Sequence, residues 1–413
     1  MNNFSMILHK YVLVKEIFTD KRLAFVLIFG MVSGMAVSIL YTTLAAWMMD
    51  KNFGLTAIGV FALARFPYAF KFSWANFIDR YHFPILGFLG KRRSWMIGAN
   101  ISLITSFLLI DYLCDHFSCA FFLAICFGFS AATFDIAYEA YRIEILDDES
   151  YPVGIATSVF GYRMGLLLTG AGSLYLSSLY NWNISFLYTA LFLSIGTIAA
   201  LWSDEPKVKF KKNLSFESTL KSLMLLKNSF LILSMIAFYR VGEAMLGTML
   251  TPFFLDIGFS KSEIATIAKI FGLVATLIGA YFGSILVRKF GYIKALLICS
   301  IPQMLSNLSF VVLNHIGHDI TSLTIAVAIE DFSAGMGTTA IVAYLCSLCN
   351  ERNAATKFAL LSALAAAANN TVPFISGKIA ESFGWDIFFL TSTLIALPGV
   401  VFSYMLCKSY KNT

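Results

Sequence analysis

The sequence predicts an all-α polytopic membrane protein, with twelve transmembrane helices in two pseudo-symmetric six-helix bundles. Three observations predict it. Of 413 residues, 58% are hydrophobic and 13% charged, against roughly 25% charged in a soluble domain. The apolar residues gather into twelve runs, each long enough to cross about 30 Å of hydrocarbon. The second half of the chain also echoes the first.

The runs lie at 23–49, 55–76, 94–113, 118–143, 152–179 and 183–203, then at 228–255, 262–287, 293–314, 320–349, 354–380 and 386–407. The first twenty residues lack the apolar core and cleavage site of a secretory signal, so the first run reads as a retained helix. Residues 1–22 form an N-terminal segment, 23–203 one bundle, 204–227 a basic linker, 228–407 a second bundle and 408–413 a tail. The repeat shows in "NWNISFLYTAL" and "GWDIFFLTSTL", whose Trp182 and Trp385 are 203 residues apart. Repeat-built transporters place their site between the halves, near the bilayer midplane.

Orientation follows from the basic residues. The termini and even-numbered loops hold 22 of the 30 Lys and Arg, while the odd-numbered loops hold only Lys51 and Lys261. Both termini are therefore expected on the cytoplasmic side of the membrane. The net charge of +6 is a topological signal rather than a nucleic-acid footprint.

Little speaks for enzyme chemistry, a cofactor or a metal. The seven cysteines form no framework of pairs, and Cys346-x-x-Cys349 has no second pair or histidine beside it. All five histidines fall in loops or the N-terminal segment, so a coupling proton is expected to ride on a carboxylate. The Gly30/Gly34, Gly161/Gly165 and Gly279/Gly283 spacings read as close helix packing.

Charges inside the runs are costly, at least about 2.5–3.5 kcal/mol each, and mark function by default. Arg65, Arg163, Arg240 and Glu330 lie about ten or more residues from a helix end. Lys269, Asp331, Asp135, Glu139 and Glu243 lie at comparable depth. Lys71 and Lys378 sit close enough to helix ends to snorkel. Arg240 and Glu243, at i and i+3, either neutralise each other or touch ligand. Asp135 and Glu139, at i and i+4, share one helical face that Arg142 continues. They either couple protons or fix packing.

"ANFIDRYHFPILGFLGKRRSW" resembles the signature of the major facilitator superfamily, G-x-x-x-D-R-x-G-R-[KR], with Ala75 at the first glycine. Asp79 and Arg80 fill the acidic-basic pair, and Lys91, Arg92 and Arg93 follow Gly90 after an insertion. A carboxylate at a helix end that pairs with a basic loop can hold one face shut. Asp79, Arg80, Lys91, Arg92, Arg93 and Arg142 are thus the expected cytoplasmic gate.

"FDIAYEAYRIEIL" resembles a hallmark of the AmpG muropeptide permeases and related acetyl-coenzyme A transporters, Q-D-I-x-x-D-[AG]-W. Phe134, Glu139 and Tyr141 depart from it. "SVFGYRMGLLLTGAGSLYL" is similar to the family's fifth helix and places Arg163 at a family arginine. The resemblance implies a proton symporter of a bacterial inner membrane, importing N-acetylglucosamine–anhydro-N-acetylmuramic acid, with or without peptide, for cell-wall recycling. The chain is expected to be a monomer. Asp135 and Glu139 would couple protons. Arg163, Arg65 or Arg240 would meet cargo carboxylates, with Glu243, Lys269, Glu330 and Asp331 nearby. Tyr41, Trp47, Tyr138, Tyr162 and Tyr239 would stack on sugar rings. Another cargo, such as acyl-coenzyme A, a siderophore or a drug, and a transport-dead sensor are the other readings.

Overall fold

The computed structural model describes residues 20–113, 116–147, 150–206, 228–348, 361, 364, 370 and 372–411. Most of these are helical, and the chain divides into two compact units: residues 1–43 with 70–211, and 44–69 with 212–413. Nine helices among the described residues are long and apolar enough to cross a membrane, ten if Leu55–Phe70 and Ser73–Arg80, bent by 53°, form one span. The expected run 152–179 is the helix Tyr151–Leu179. The expected run 354–380 falls mostly outside the described residues, as do Cys114, Cys349 and nearly all of the basic linker.

Unit 1 holds α1 (Lys21–Ser38). Segment 44–69 contributes α2 (Leu44–Asp50) and α3 (Leu55–Phe61) to unit 2, and α4 (Phe66–Phe70) ends at the unit border. Unit 1 continues with α5 (Phe72–Arg80), α6 (Lys91–Leu113), α7 (Phe117–Ile145), α8 (Tyr151–Leu179) and α9 (Trp182–Trp202). The paired glycines explain the docking of α1 on α8. A Cβ on Gly34 would lie 2.0 Å from the Tyr162 carbonyl, and one on Gly165 2.1 Å from that of Met31. Only glycine lets the two backbones meet. Helices α6 and α9 are joined by Phe107 stacked on Phe186 at 4.2 Å and by the Asn100 amide donating to the Leu193 carbonyl at 2.8 Å.

The rest of unit 2 runs through α10 (Ser229–Phe238), α11 (Val241–Asp256), α12 (Lys261–Glu263), α13 (Gly272–Phe290), α14 (Tyr292–Ser306), α15 (Leu308–Ile316), α16 (Ile320–Leu348) and α17 (Ser376–Lys411). The glycine device recurs here. A Cβ on Gly279 would lie 2.0 Å from the Phe332 carbonyl, and one on Gly335 2.1 Å from that of Thr276, locking α13 to α16. Gly384, with φ 81°, turns the chain inside α17 just before Trp385. Trp385 then packs with Phe253 and Phe389.

Segment 44–69, placed by the sequence in the first bundle, packs within unit 2 for a backbone reason. A Cβ on Gly377 would lie 1.9 Å from the Leu55 carbonyl. Glu381 accepts from the Thr56 N–H at 2.6 Å, and Lys261 pairs with Asp50. Large apolar side chains such as Leu187, Leu191, Phe230 and Leu394 stand exposed, as surfaces solvated by lipid do.

Candidate functional site

In unit 1 the polar face of α7 meets a cation that the sequence reading set aside. The second run breaks between α4 and α5 at Lys71, and the Lys71 ammonium reaches Glu139 at 2.9 Å. Both side chains keep exposed surface, 29% and 48%. Lys71 therefore pairs rather than snorkels. Four residues earlier, Asp135 holds its Oδ1 buried with no hydrogen-bond partner among the described residues. A bare carboxylate oxygen in that position is costly unless a proton, a ligand or a moving cation meets it.

Arg142 was expected both along this face and in the gate. It donates to the Ser158 hydroxyl of α8 at 2.8 Å and lies 5.7 Å from the centre of the Tyr138 ring. It makes no bond to the Asp79–Arg92 cluster. Tyr138 itself is buried, its hydroxyl 3.1 Å from the Val26 carbonyl and edge-on to Phe29. It packs α1, α7 and α8 and presents no open ring face.

Arg163 follows Tyr162 on α8, roughly 200° around the helix from Gly161, and so points away from α1. It is partly exposed and makes no hydrogen bond or ion pair among the described residues. Tyr41 and Tyr162 also keep exposed surface, whereas Trp47 and Tyr239 are buried. The Tyr239 hydroxyl donates to the Leu296 carbonyl at 3.2 Å.

Unit 2 gathers the remaining charges. Arg65 is 2% exposed, donating to Thr248 Oγ1 at 2.8 Å and to the Ala62 carbonyl at 3.2 Å. Arg240 lies in the break between α10 and α11 and grips Glu243 through both carboxylate oxygens. Gln303 of α14 donates to the same carboxylate at 2.6 Å. On α16, neighbouring acids diverge as helical geometry requires. Glu330 meets Ser306 of α14, while Asp331 accepts from Thr276 of α13 at 3.0 Å and has Lys269 within electrostatic range.

Several sequence-selected residues share a backbone feature. Tyr41 lies in the π-helical Ile39–Thr43, Arg65 in the 3₁₀ segment Ala62–Arg65 and Lys269 in the π-helical Ile264–Phe271. Arg240 sits at a helix break. Such departures leave backbone groups and side chains aimed off the regular helix surface and are frequent at functional sites.

The expected gate residues are bonded inside unit 1. Arg92, with its side chain 5% exposed, donates to Asp79 at 2.7 Å and to both oxygens of Glu144, at 2.6 and 2.9 Å. Lys91 donates to the Asp79 carbonyl at 2.9 Å. Glu205 accepts from the Arg92 and Arg93 N–H groups at 2.8 and 3.1 Å, at the start of α6. Gly90, with φ 104°, makes room, since a Cβ there would lie 2.5 Å from the Glu205 carboxyl carbon. Arg93 caps α9 by donating to the Ala200 carbonyl at 2.8 Å, and Arg80 is exposed without a partner among the described residues. The sequence reading missed Glu144 and Glu205. Glu144 stands inside "FDIAYEAYRIEIL" two residues after Arg142, which was the available signal.

Around the Arg22 fork at the start of α1, Asp20 and Asp147 close a second cluster at 2.8 and 3.1 Å. Hydrogen bonds from Ser150 first, then Arg22, hold the Asp147 carboxyl well below the usual carboxylate range.

Residues 26–241 and 231–411 match the Major Facilitator Superfamily. The "Putative transporter AmpG 4" of Rickettsia felis is 37% identical over 402 residues, covering 94% of this chain and 97% of that protein. The "Anhydromuropeptide permease" of Escherichia coli K12 is 35% identical over 394 residues, covering 94% of this chain and 80% of that protein. Among solved structures, a bacterial homologue of the human lysosomal transporter Spinster, inward-facing and unoccupied, superposes with a TM-score of 0.71 at 15% identity. That match covers 98% of both chains.

Proposed function

The chain belongs to the major facilitator superfamily, among AmpG-type transporters, and from that membership we propose that it imports anhydromuropeptides with protons across the bacterial inner membrane. The cargo is N-acetylglucosamine–anhydro-N-acetylmuramic acid, with or without peptide, taken up for cell-wall recycling. Both termini face the cytoplasm. The 35% identity to a protein named for anhydromuropeptide supports the cargo.

One observation carries the coupling. A buried, unpartnered Asp135 oxygen lies one helical turn from a Glu139 already satisfied by Lys71. In this reading Asp135 holds the transported proton. The Lys71–Glu139 pair keeps exposed surface on both partners, and in this reading Lys71 exchanges carboxylates. When Lys71 turns to Asp135, its proton leaves and Glu139 takes up the next one. Arg163, which has no partner among the described residues, supplies a planar fork for a lactyl or peptide carboxylate.

The test is uptake of radiolabelled anhydromuropeptide into a permease-deficient host. Accumulation that collapses with the proton gradient supports the reading. Uptake no greater than in the empty host, from a chain present at normal levels in the membrane, ends the cargo assignment.

A further inference from the structure

Unit 2 contains a buried carboxyl that the Asp135–Glu139 mechanism does not use. Glu330 lies mid-way along α16, 6% exposed, with its Oε2 2.5 Å from the Ser306 Oγ of α14. Among the described residues Ser306 is its one hydrogen-bond partner, and it makes no ion pair.

Hydrogen counting shows that the Ser306 hydroxyl cannot donate to both of its contacts. Ser306 has a single hydroxyl hydrogen. Its Oγ also lies 2.9 Å from the Gln303 carbonyl, which can only accept. If that hydrogen goes to the carbonyl, the short contact with Glu330 needs a hydrogen from Glu330 itself.

Charge balance points the same way. The charged groups facing Glu330 are Arg240 and Glu243 at the α10–α11 break and Asp331 beside it on α16. Arg240 is held by Glu243, whose carboxylate Gln303 also bonds. Lys269, on the π-helical segment before α13, has its electrostatic partner in Asp331. With a proton on Glu330 the Arg240–Glu243–Glu330 group is neutral. Without it, one negative charge stays buried and uncompensated, which is strongly unfavourable.

We propose that Glu330 is held as a neutral carboxylic acid and is a second proton-carrying site, separate from the Asp135–Glu139 pair. Its role in transport rests on the proton-coupled reading above; its protonation does not. The step is a dissociation. The Glu330 O–H bond breaks, the proton passes to water, and the carboxylate left behind draws the Arg240 guanidinium. Arg240 stands at the backbone break between α10 and α11, outside the regular helix.

Protonation is tested without cargo, by infrared spectroscopy of the purified full chain in lipid. At neutral pH carboxylic-acid C=O absorption is expected in wild type from Asp135 and Glu330 together; Glu330→Gln should remove the Glu330 band, and Asp135→Asn should retain it. Ser306→Ala, which keeps the acid and removes its acceptor, should shift that band, and decides the matter if the Gln variant fails to fold. A C=O band unchanged by both Glu330→Gln and Ser306→Ala overturns the assignment. Loss of a band in Asp135→Asn alone would leave the unit 1 reading standing while this one falls. The carrier role is read with anhydromuropeptide in proteoliposomes: Glu330→Gln should lower the proton-to-cargo ratio from two to one. An unchanged ratio overturns that role.

Discussion

Lys71 and Glu139 are joined at 2.9 Å, tying the break between α4 and α5 to the polar face of α7. The contact supplies the cation that two carboxylates on one helical face require. It also leaves Asp135, one turn away, as the acid with a bare oxygen.

Because both partners are partly exposed, the pair itself contributes about 0.2–1 kcal/mol to stability. Lys71→Gln should therefore fold nearly as well as wild type. Its expected defect is functional: accumulation against a gradient is lost while cargo exchange persists. A Lys71→Gln variant that accumulates normally would remove Lys71 from the mechanism.

The Arg92 cluster calls for the opposite outcome. Its guanidinium is buried and doubly bonded to Glu144, and it also reaches Asp79. Removing one partner of a buried pair costs about 3–5 kcal/mol. Glu144→Ala should lower thermal stability in detergent more than Asp79→Ala, because Asp79 is more exposed and holds only one fork nitrogen. Equal losses, or a larger one for Asp79, would show that the hydrogen bonds do not rank the partners.

The glycine contacts allow a steric test. At Gly34 a methyl group would sit 2.0 Å from the Tyr162 carbonyl, a backbone atom that a rotamer change cannot move. Gly34→Ala should cost about 1–3 kcal/mol by forcing α1 from α8, seen as a lower melting temperature. The same substitution at Gly247, where nothing lies within 4 Å, is the control and should be neutral or mildly stabilising.

These glycine pairs were legible in the sequence because small residues four apart have one main use in a helical membrane protein. The intramembrane charges were legible as well, since their insertion cost makes each one conspicuous. Their partners were not. Lys71 reaches Glu139 because its run breaks at residue 71, and nothing in an apolar stretch announces that break. Glu205 reaches the start of α6 only through the positive φ of Gly90. Tyr138, Tyr239 and Trp47 looked like ring platforms because residue type alone does not reveal which way an aromatic points. Segment 44–69 joined the other unit through Gly59 and Gly377, far apart in sequence, and spacing along one chain cannot register such a pairing.

Arg163 and Arg65 should respond differently to the same change. Arg65 is buried and bonded to Thr248 and the Ala62 carbonyl, so Arg65→Lys should destabilise the fold. Arg163 lacks an internal partner among the described residues, so Arg163→Lys should leave the melting temperature unchanged. Loss of its planar fork should weaken cargo binding by about tenfold, on the scale of one charge-assisted hydrogen bond. Binding by isothermal calorimetry, compared with thermal melts of both variants, separates the two. Wild-type affinity in Arg163→Lys would direct the search for a carboxylate site to another arginine.

The pair at Asp135 and Glu139 allows the coupling and packing views to be told apart. Asp135→Asn keeps the shape of the side chain and removes its charge, while the buried oxygen remains without a partner. If the acid only fixes packing, accumulation and exchange should fall together, in proportion to folded protein. If Asp135 carries the proton, gradient-driven accumulation should disappear while exchange of labelled for unlabelled cargo survives. Glu139→Gln should act differently, because it frees Lys71 to approach Asp135 and favours its ionised form. That variant should exchange cargo with a weakened dependence on external pH. Counterflow and pH-jump uptake in proteoliposomes measure both quantities. A double variant, Asp135→Asn with Glu139→Gln, that still concentrates anhydromuropeptide under a proton gradient would end the proposal for this helix.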